Sequence, residues 1–446
     1  MARKLFGTDG VRGLAGELIS AELALALARA AVAGSPATRP QVLVIRDTRE
    51  SGPMLESAVA AGVAAAGGDA LLGGVLPTPA APLLIRRYGF DLGVVLSASH
   101  NPFADNGVKF FGSDGHKLSD GAELEIERRL EAQAGERPKR GVGRVSRLHG
   151  TLQDYLRELE TRFSGLDLVG RRVVLDCAHG ATHRAAPEIF RRLGAEVSVH
   201  AAAPDGRNIN AGCGSTHVDA LAAIVGEGSH ELGFAFDGDG DRVLAVDRTG
   251  AVVDGDELLA LAALHLRDAE RLPGNGVAVT VMTNYGFHTA MERAGIAVAT
   301  TKVGDRYVLE ELRARGWSLG GEQSGHIIEL SFAPSGDGIA GALLALEALG
   351  GGDLAERHAM EKLPQRLVNV RVAARGGLAE AGEVQEAIAR EDESLAGRGR
   401  VLVRESGTEP LVRVMVEAPE AEEAEAACAR VVEAVEARLG AGDGQG

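Results

Sequence analysis

Leu92-Gly93-Val94-Val95-Leu96 runs directly into Ser97-Ala98-Ser99-His100-Asn101-Pro102. Apolar residues of strand length bounded by turn formers read as a buried strand. The polar run behind it brings a hydroxyl to the tip of a sheet, where open α/β folds place their ligands. Alone, the run reads equally well as a polar turn, since Ser, Asn and Pro are common there. Its surroundings decide.

Upstream, Ser20 reads as a helix N-cap with Glu22 in the first turn. Val42-Leu43-Val44-Ile45 is a buried-type strand, followed by Arg46-Asp47-Thr48-Arg49. A helix follows over about Met54 to Ala66, then the apolar run Ala70-Leu71-Leu72, then a helix from Pro79 towards Ile85. Downstream, Asn106 to Phe111 returns as a strand carrying Lys109, and Asp120 with Glu123 marks a helix to about Ala132. Strands alternating with helices of this length indicate a parallel sheet. The glycine- and arginine-bearing stretch Gln133 to Gly150 reads as an interdomain linker.

The same rhythm recurs twice. Strands at 172–176, 197–199, 233–236 and 243–246 make a second unit, and strands at 277–281 and 296–298 with helices near 286–294 and up to Arg315 begin a third. The last segment changes character: strands at 367–372, 401–403 and 411–417, with helices at about 378–391 and around Ala427, Val431 and Val435, form a small β-α-β-β-α domain. The boundaries expected are 1–150, 151–254, 255–364 and 365–446, in a chain of 446 residues that is too long for one core.

A net charge of −16 argues against a nucleic-acid surface, and an anionic substrate then needs local Arg and Lys in the loops. The chain shows neither an apolar run of membrane-spanning length nor a signal segment. Cys177, Cys213 and Cys428 are scattered and odd in number, which fits reduced thiols in a cytoplasm.

Asp237, Asp239 and Asp241 are spaced by Gly238 and Gly240, so three hard carboxylate ligands can converge and leave positions for water and a phosphate oxygen. That suits Mg²⁺. The competing EF-hand reading fails, because its sixth position needs Gly and holds Arg242, and its twelfth needs Glu and holds Arg248. Arg404-Glu405-Ser406-Gly407-Thr408 with Arg413 reads as an anion cradle, the alternative being a hairpin loop with incidental charge: small residues expose backbone N–H groups, and two guanidiniums match a phosphate. Glu322, Ser324 and His326 offer an acceptor, a hydroxyl and a titratable ring suited to sugar hydroxyls, although His326 reads equally as a structural cap.

Together, Ser97–Pro102, Asp237–Arg242, Gly321–His326 and Arg404–Pro410 resemble, in order and over nearly the entire chain, the α-D-phosphohexomutase superfamily. The resemblance implies an α/β fold of four domains around a central cleft: three similar αβ sandwich units with mixed or parallel sheets, plus the small C-terminal domain. It implies a phosphoserine at Ser99, beside His100, and one Mg²⁺ held by Ser99, Asp237, Asp239 and Asp241. Lys109 matches the general acid/base, with His326 orienting the sugar and Arg12 as a cleft arginine. Glu322 and Ser324 would bind the sugar, and Arg404, Ser406, Gly407, Thr408 and Arg413 the non-reacting phosphate. Phe6–Gly13 and Gln323 look like the branch that interconverts glucosamine 6-phosphate and glucosamine 1-phosphate, through glucosamine 1,6-bisphosphate as intermediate and activator. The alternatives are a mutase preferring glucose or mannose phosphates, and a sugar-phosphate sensor without turnover. The implied partner is a small amino-sugar phosphate, with neither nucleic acid nor membrane; a homodimer stays open.

Overall fold

The computed structural model describes residues 4–7, 9–132, 141–374, 376–406 and 409–440. They fall into two compact units, Met1–Met282 with Ile296–Arg357, and Thr283–Gly295 with His358–Gly446.

The larger unit contains three sheets. In the first, β1 (Val11–Leu14), β2 (Gln41–Arg46), β3 (Asp69–Val75), β4 (Leu92–Leu96), β5 (Asp105–Gly112) and β6 (Val145–Arg147) lie in the order β1-β5-β4-β2-β3-β6. In the second, β7 (Arg172–Asp176), β8 (Glu196–His200), β9 (Leu232–Phe236), β10 (Val243–Asp247) and β11 (Val252–Val253) lie in the order β11-β10-β9-β7-β8. In the third, β12 (Gly276–Thr280), β13 (Ala297–Thr301), β14 (Leu319–Gly321) and β15 (Ile327–Glu329) lie in the order β13-β12-β14-β15.

One four-stranded nucleus recurs in all three: β3-β2-β4-β5, β8-β7-β9-β10 and β13-β12-β14-β15. The first three strands of each are parallel and the last is antiparallel. All residues of β4, β9 and β12 are buried, as expected of parallel strands covered on both faces. The repetition matters for chemistry. The Ser99 loop joins β4 to β5, the aspartate loop joins β9 to β10, and the Glu322 loop joins β14 to β15. Each sheet carries its chemical loop on the same connection.

Part of the expected linker folds instead: Val145–Arg147 pairs in parallel with β3, Ala70 opposite Val145. Three exposed residues, two of them polar, give no apolar pattern, and the strand exists because an edge of β3 is open to it. Residues 133–140 of that stretch lie outside the described residues.

A polar contact also fixes the helix Gly338–Leu349. Asp337 caps it by accepting from Ala340 N at 3.0 Å, and the buried Tyr155 hydroxyl donates to Asp337 at 2.9 Å. Burial pushes the Asp337 carboxyl up to about 6. An unfolded Asp titrates near 3.9. The folded state therefore holds the extra proton between those values, and stability from this group is lost as pH rises through 6. Tyr155→Phe removes a donor to the charged carboxylate and should cost about 1–3 kcal/mol at pH 8. The cost at pH 5 should be smaller, which thermal melts at the two pH values will read.

The smaller unit holds β16 (Gln365–Arg371), β17 (Arg400–Glu405) and β18 (Leu411–Glu417), antiparallel in the order β16-β18-β17. Its core is Val370, Val384, Val412, Val414, Val416, Val431 and Val435, from the sheet and the helices Gly382–Leu395 and Ala421–Leu439. The first of these helices starts four residues later than its sequence suggests. Glu405 Oε1 takes the N–H groups of Gly376 and Leu378, holding that stretch as a turn. This unit also includes the helix Tyr285–Arg293, whose entry is fixed by the fully buried Glu417 accepting from Tyr285 N at 2.9 Å.

Candidate active site

Ser99 lies beyond β4 in the left-handed backbone region, φ 52°, with its side chain buried. A non-glycine residue there is costly and marks a held conformation. Its Oγ donates to Asp237 Oδ2 at 2.6 Å and stands 3.4 Å from His100 Nδ1. Burial, then Arg242 and Arg12, lower the His100 pKa, so the ring beside the hydroxyl is neutral at pH 7.

Asp237, Asp239 and Asp241 are all buried, with one ligand oxygen of each within 4.8 Å of the others. Gly240 supplies the positive φ of that turn, 77°. Gly238 serves a different need: a Cβ there would sit 2.6 Å from Ser99 O, so the serine loop packs directly on the aspartate loop. Burial, with repulsion from Asp241 and Asp239, pushes Asp237 well above the usual carboxylate range. Asp239 goes the other way; burial opposes its charge, but Lys109 Nζ at 2.7 Å and the Thr78 hydroxyl at 2.7 Å hold it ionised. Among the described residues, Asp239 Oδ1 and Asp241 Oδ1 are buried without a hydrogen-bond partner. Crowded carboxylates with orphaned oxygens fit a hard divalent cation.

Lys109 is buried, 2.7 Å from Asp239 and 3.0 Å from Asp9. The sequence alone suggests that burial or nearby cations must lower this lysine for it to act as a base. Burial does act that way here, but Asp239 and Asp9 outweigh it and raise the pKa, so the ammonium form is the resting one. Asp9 also pairs with Arg12 and Lys117, and Lys117 reaches Asp305 Oδ2 at 2.6 Å.

The Glu322 loop arrives beside this cluster. Val243 N, at the start of β10, donates to Gly325 O at 3.1 Å, and a Cβ at Gly325 would meet Val243 O at 2.0 Å. Glu322 accepts from Gly304 N, and Ser324 Oγ is buried without a partner among the described residues. His326 is 2% exposed. Its Nε2 accepts from Gly336 N at 3.1 Å, and Nδ1 faces Asp241 at 3.8 Å. With Nε2 accepting, the neutral ring carries its proton on Nδ1, towards Asp241; burial opposes the charged ring, while Asp241 and Asp305 favour it and raise the pKa. The ring thus braces Asp241.

In the C-terminal unit, Arg404 and Arg413 are direct cross-strand partners. Like charges so placed repel. Among the described residues, Arg413 Nε is buried without a hydrogen-bond partner. Burial and then Arg413 lower the Arg404 pKa. Ser406 Oγ accepts from Glu409 N, while Gly407 and Thr408 lie outside the described residues.

Comparison with known proteins covers nearly the whole chain. Phosphoglucomutase/phosphomannomutase profiles match as α/β/α domain I over 3–137, domain II over 153–250, domain III over 254–367 and the C-terminal domain over 367–434. The chain belongs to the phosphoglucomutase/phosphomannomutase family. A phosphoglucosamine mutase of Moorella thermoacetica is 51% identical over 430 residues, covering 95% of this chain and 97% of that protein. One from Mycolicibacterium paratuberculosis is 50% identical over 442 residues, covering 97% and 99%. The crystal structure of a Burkholderia thailandensis phosphoglucomutase/phosphomannomutase family protein shares the fold, with TM-score 0.82 at 24% identity over 97% of each chain. An Aspergillus fumigatus N-acetylphosphoglucosamine mutase, solved with GlcNAc-6P and magnesium, superposes with TM-score 0.64 at 19% identity, covering 98% and 96%.

This phosphohexomutase is an isomerase whose relatives act on sugar phosphates. Among its described residues no helix is long and apolar enough to cross a membrane, and its three cysteines are buried and free. Sequence reading passed over Arg49, Asp47, Thr78, Asn210 and Lys117 as site residues. Asp47 and Arg49 carried a signal, since they follow a buried strand at its carboxyl end, where ligand-facing loops sit, and Asn210 lies in a polar, glycine-rich loop.

Proposed function

We propose that this phosphohexomutase interconverts glucosamine 6-phosphate and glucosamine 1-phosphate through a phosphorylated Ser99. The observation that carries the reading is the buried Ser99 hydroxyl on Asp237, inside a carboxylate cluster with orphaned oxygens. Similarity to phosphoglucosamine mutases at 50–51% identity supports the choice of sugar.

In the first half-reaction the bond from phosphorus to Ser99 Oγ breaks as O1 of the sugar binds phosphorus, giving glucosamine 1,6-bisphosphate. Lys109, starting as the ammonium, gives its proton to the departing Ser99 Oγ and takes the O1 proton in exchange. In the second half the 6-phosphoryl group moves to Ser99, and Lys109 gives a proton to O6 as it takes that of the Ser99 hydroxyl. Both steps start from the ammonium form, which burial opposes but Asp239 and Asp9 favour. Asp237, Asp239 and Asp241, with a phosphoryl oxygen on Ser99, would hold Mg²⁺, which neutralises charge on the group in transfer. Glu322 and Ser324 would take sugar hydroxyls, and Arg12 the reacting end.

Arg404, Ser406, Gly407, Thr408 and Arg413 would receive the phosphate that does not react. Arg413→Ala should raise KM by the equivalent of about 1.5–3 kcal/mol, as expected for one charge-assisted hydrogen bond, with little change in kcat. An unchanged KM would show that the anchor lies elsewhere. The function itself is tested by rates on glucosamine, glucose and mannose 6-phosphates, together with the intact mass of the purified protein. A preference for glucose or mannose phosphate would overturn the sugar assignment.

A further inference from the structure

We propose that Arg49 is a positioning residue whose buried guanidinium holds Ser99 in its left-handed conformation and so aims Oγ at Asp237. This rests on the reading of Ser99 as the phosphoryl carrier.

Arg49 is fully buried. Its Nε donates to Asp47 Oδ2 at 2.8 Å, which balances its charge. Its remaining donors converge on one loop: Nη2 donates to Ser99 O at 2.9 Å and Asn101 O at 2.8 Å, and Nη1 to Asp105 O at 2.9 Å and to Pro102 O. Asp47 completes a relay from the other side. Its Oδ2 accepts from Ser97 Oγ at 2.6 Å, and Ser97 Oγ accepts from Ser99 N at 2.9 Å. The carbonyl and the N–H of Ser99 are therefore both held by one connected group. Asn210 adds a second grip, donating to Ser99 O at 3.0 Å and Asn101 O at 3.1 Å.

The loop from Ser97 to Ala104 contains no glycine, so nothing in its own sequence favours the φ of 52° at Ser99. Such a conformation persists only where the surroundings over-determine it. A lysine could keep the charge pair with Asp47, but not a planar fork shared among four carbonyls. Stability alone is a poor reason for the arrangement, because a buried ion pair can often be replaced by apolar packing without loss. Precise placement of a nucleophile is a better one, since a misplacement of 1 Å can cost about 10²-fold in rate.

The test compares Arg49→Lys, Ser97→Ala and Ser99→Ala with the parent enzyme, using kcat and KM on glucosamine 6-phosphate and thermal melts. Folded Arg49→Lys should lose roughly 10²-fold in kcat with KM within about twofold, with kcat normalised to the folded fraction read from the melts, because an inactive unfolded population also lowers apparent kcat at constant KM. Ser97→Ala, which frees the Ser99 N–H but keeps the Arg49–Asp47 pair, should lose roughly tenfold in kcat at nearly unchanged melting temperature. Folded Arg49→Lys retaining parental kcat would overturn the proposal. Should Arg49→Lys fail to fold, Ser97→Ala decides, and parental kcat there would overturn it. Full turnover by Ser99→Ala would instead remove the phosphoserine reading on which it rests.

Discussion

Ser99→Ala is expected to abolish turnover, by at least roughly 10⁴-fold, while leaving the fold and sugar-phosphate binding in place. The hydroxyl donates to Asp237 of the aspartate cluster at 2.6 Å, and alanine has no oxygen to carry a phosphoryl group. The methyl group also occupies less space than the CH₂OH it replaces, so the packing of Ser99 O against Gly238 is undisturbed. Ser99→Ala should also lack the mass increment of one phosphoryl group wherever the parent carries it. A variant with parental kcat would end the covalent mechanism, whatever the sugar.

Lys109→Ala should lower kcat by roughly 10²–10⁴-fold, the range of general acid–base groups, and change KM far less. Its ammonium sits within 3.0 Å of both Asp9 and Asp239, close to Ser99 through the shared aspartate loop. The substitution also leaves Asp239 with one fewer cation, so the melting temperature should be recorded with the rates. His326→Ala should do less to kcat, because that ring is engaged with Gly336 and Asp241 and is almost fully buried. A larger kcat loss for His326→Ala, with Lys109→Ala nearly active, would reverse the two roles.

The loops were legible because each concentrates its chemistry in six or seven consecutive residues. Asp237-Gly238-Asp239-Gly240-Asp241 announces a cation site without any knowledge of the fold, and the structure brings its carboxylates together. The strands were legible from their apolar runs. What sequence could not supply depends on distant pairing. Lys117 reads as an ordinary lysine after a turn, and only tertiary structure sets it between Asp9 and Asp305. Arg49 reads as a polar residue after a strand, although it reaches carbonyls more than fifty positions away. Gly238 reads as a spacer that lets the carboxylates converge, yet its reason is the close approach of another loop. Val145–Arg147 became a strand because a neighbouring edge was open.

The bond from Val243 N to Gly325 O has a consequence for redesign. The sugar loop leans on the first residue of the strand that follows the aspartates, and a methyl group at Gly325 would collide with the Val243 carbonyl. The Glu322 loop is therefore not a detachable cassette. A graft from a relative with another sugar preference would have to bring residues 237–243 and 321–326 together, as one transplanted piece with its seam intact. Moved alone, the sugar loop would carry its chemistry but lose its footing.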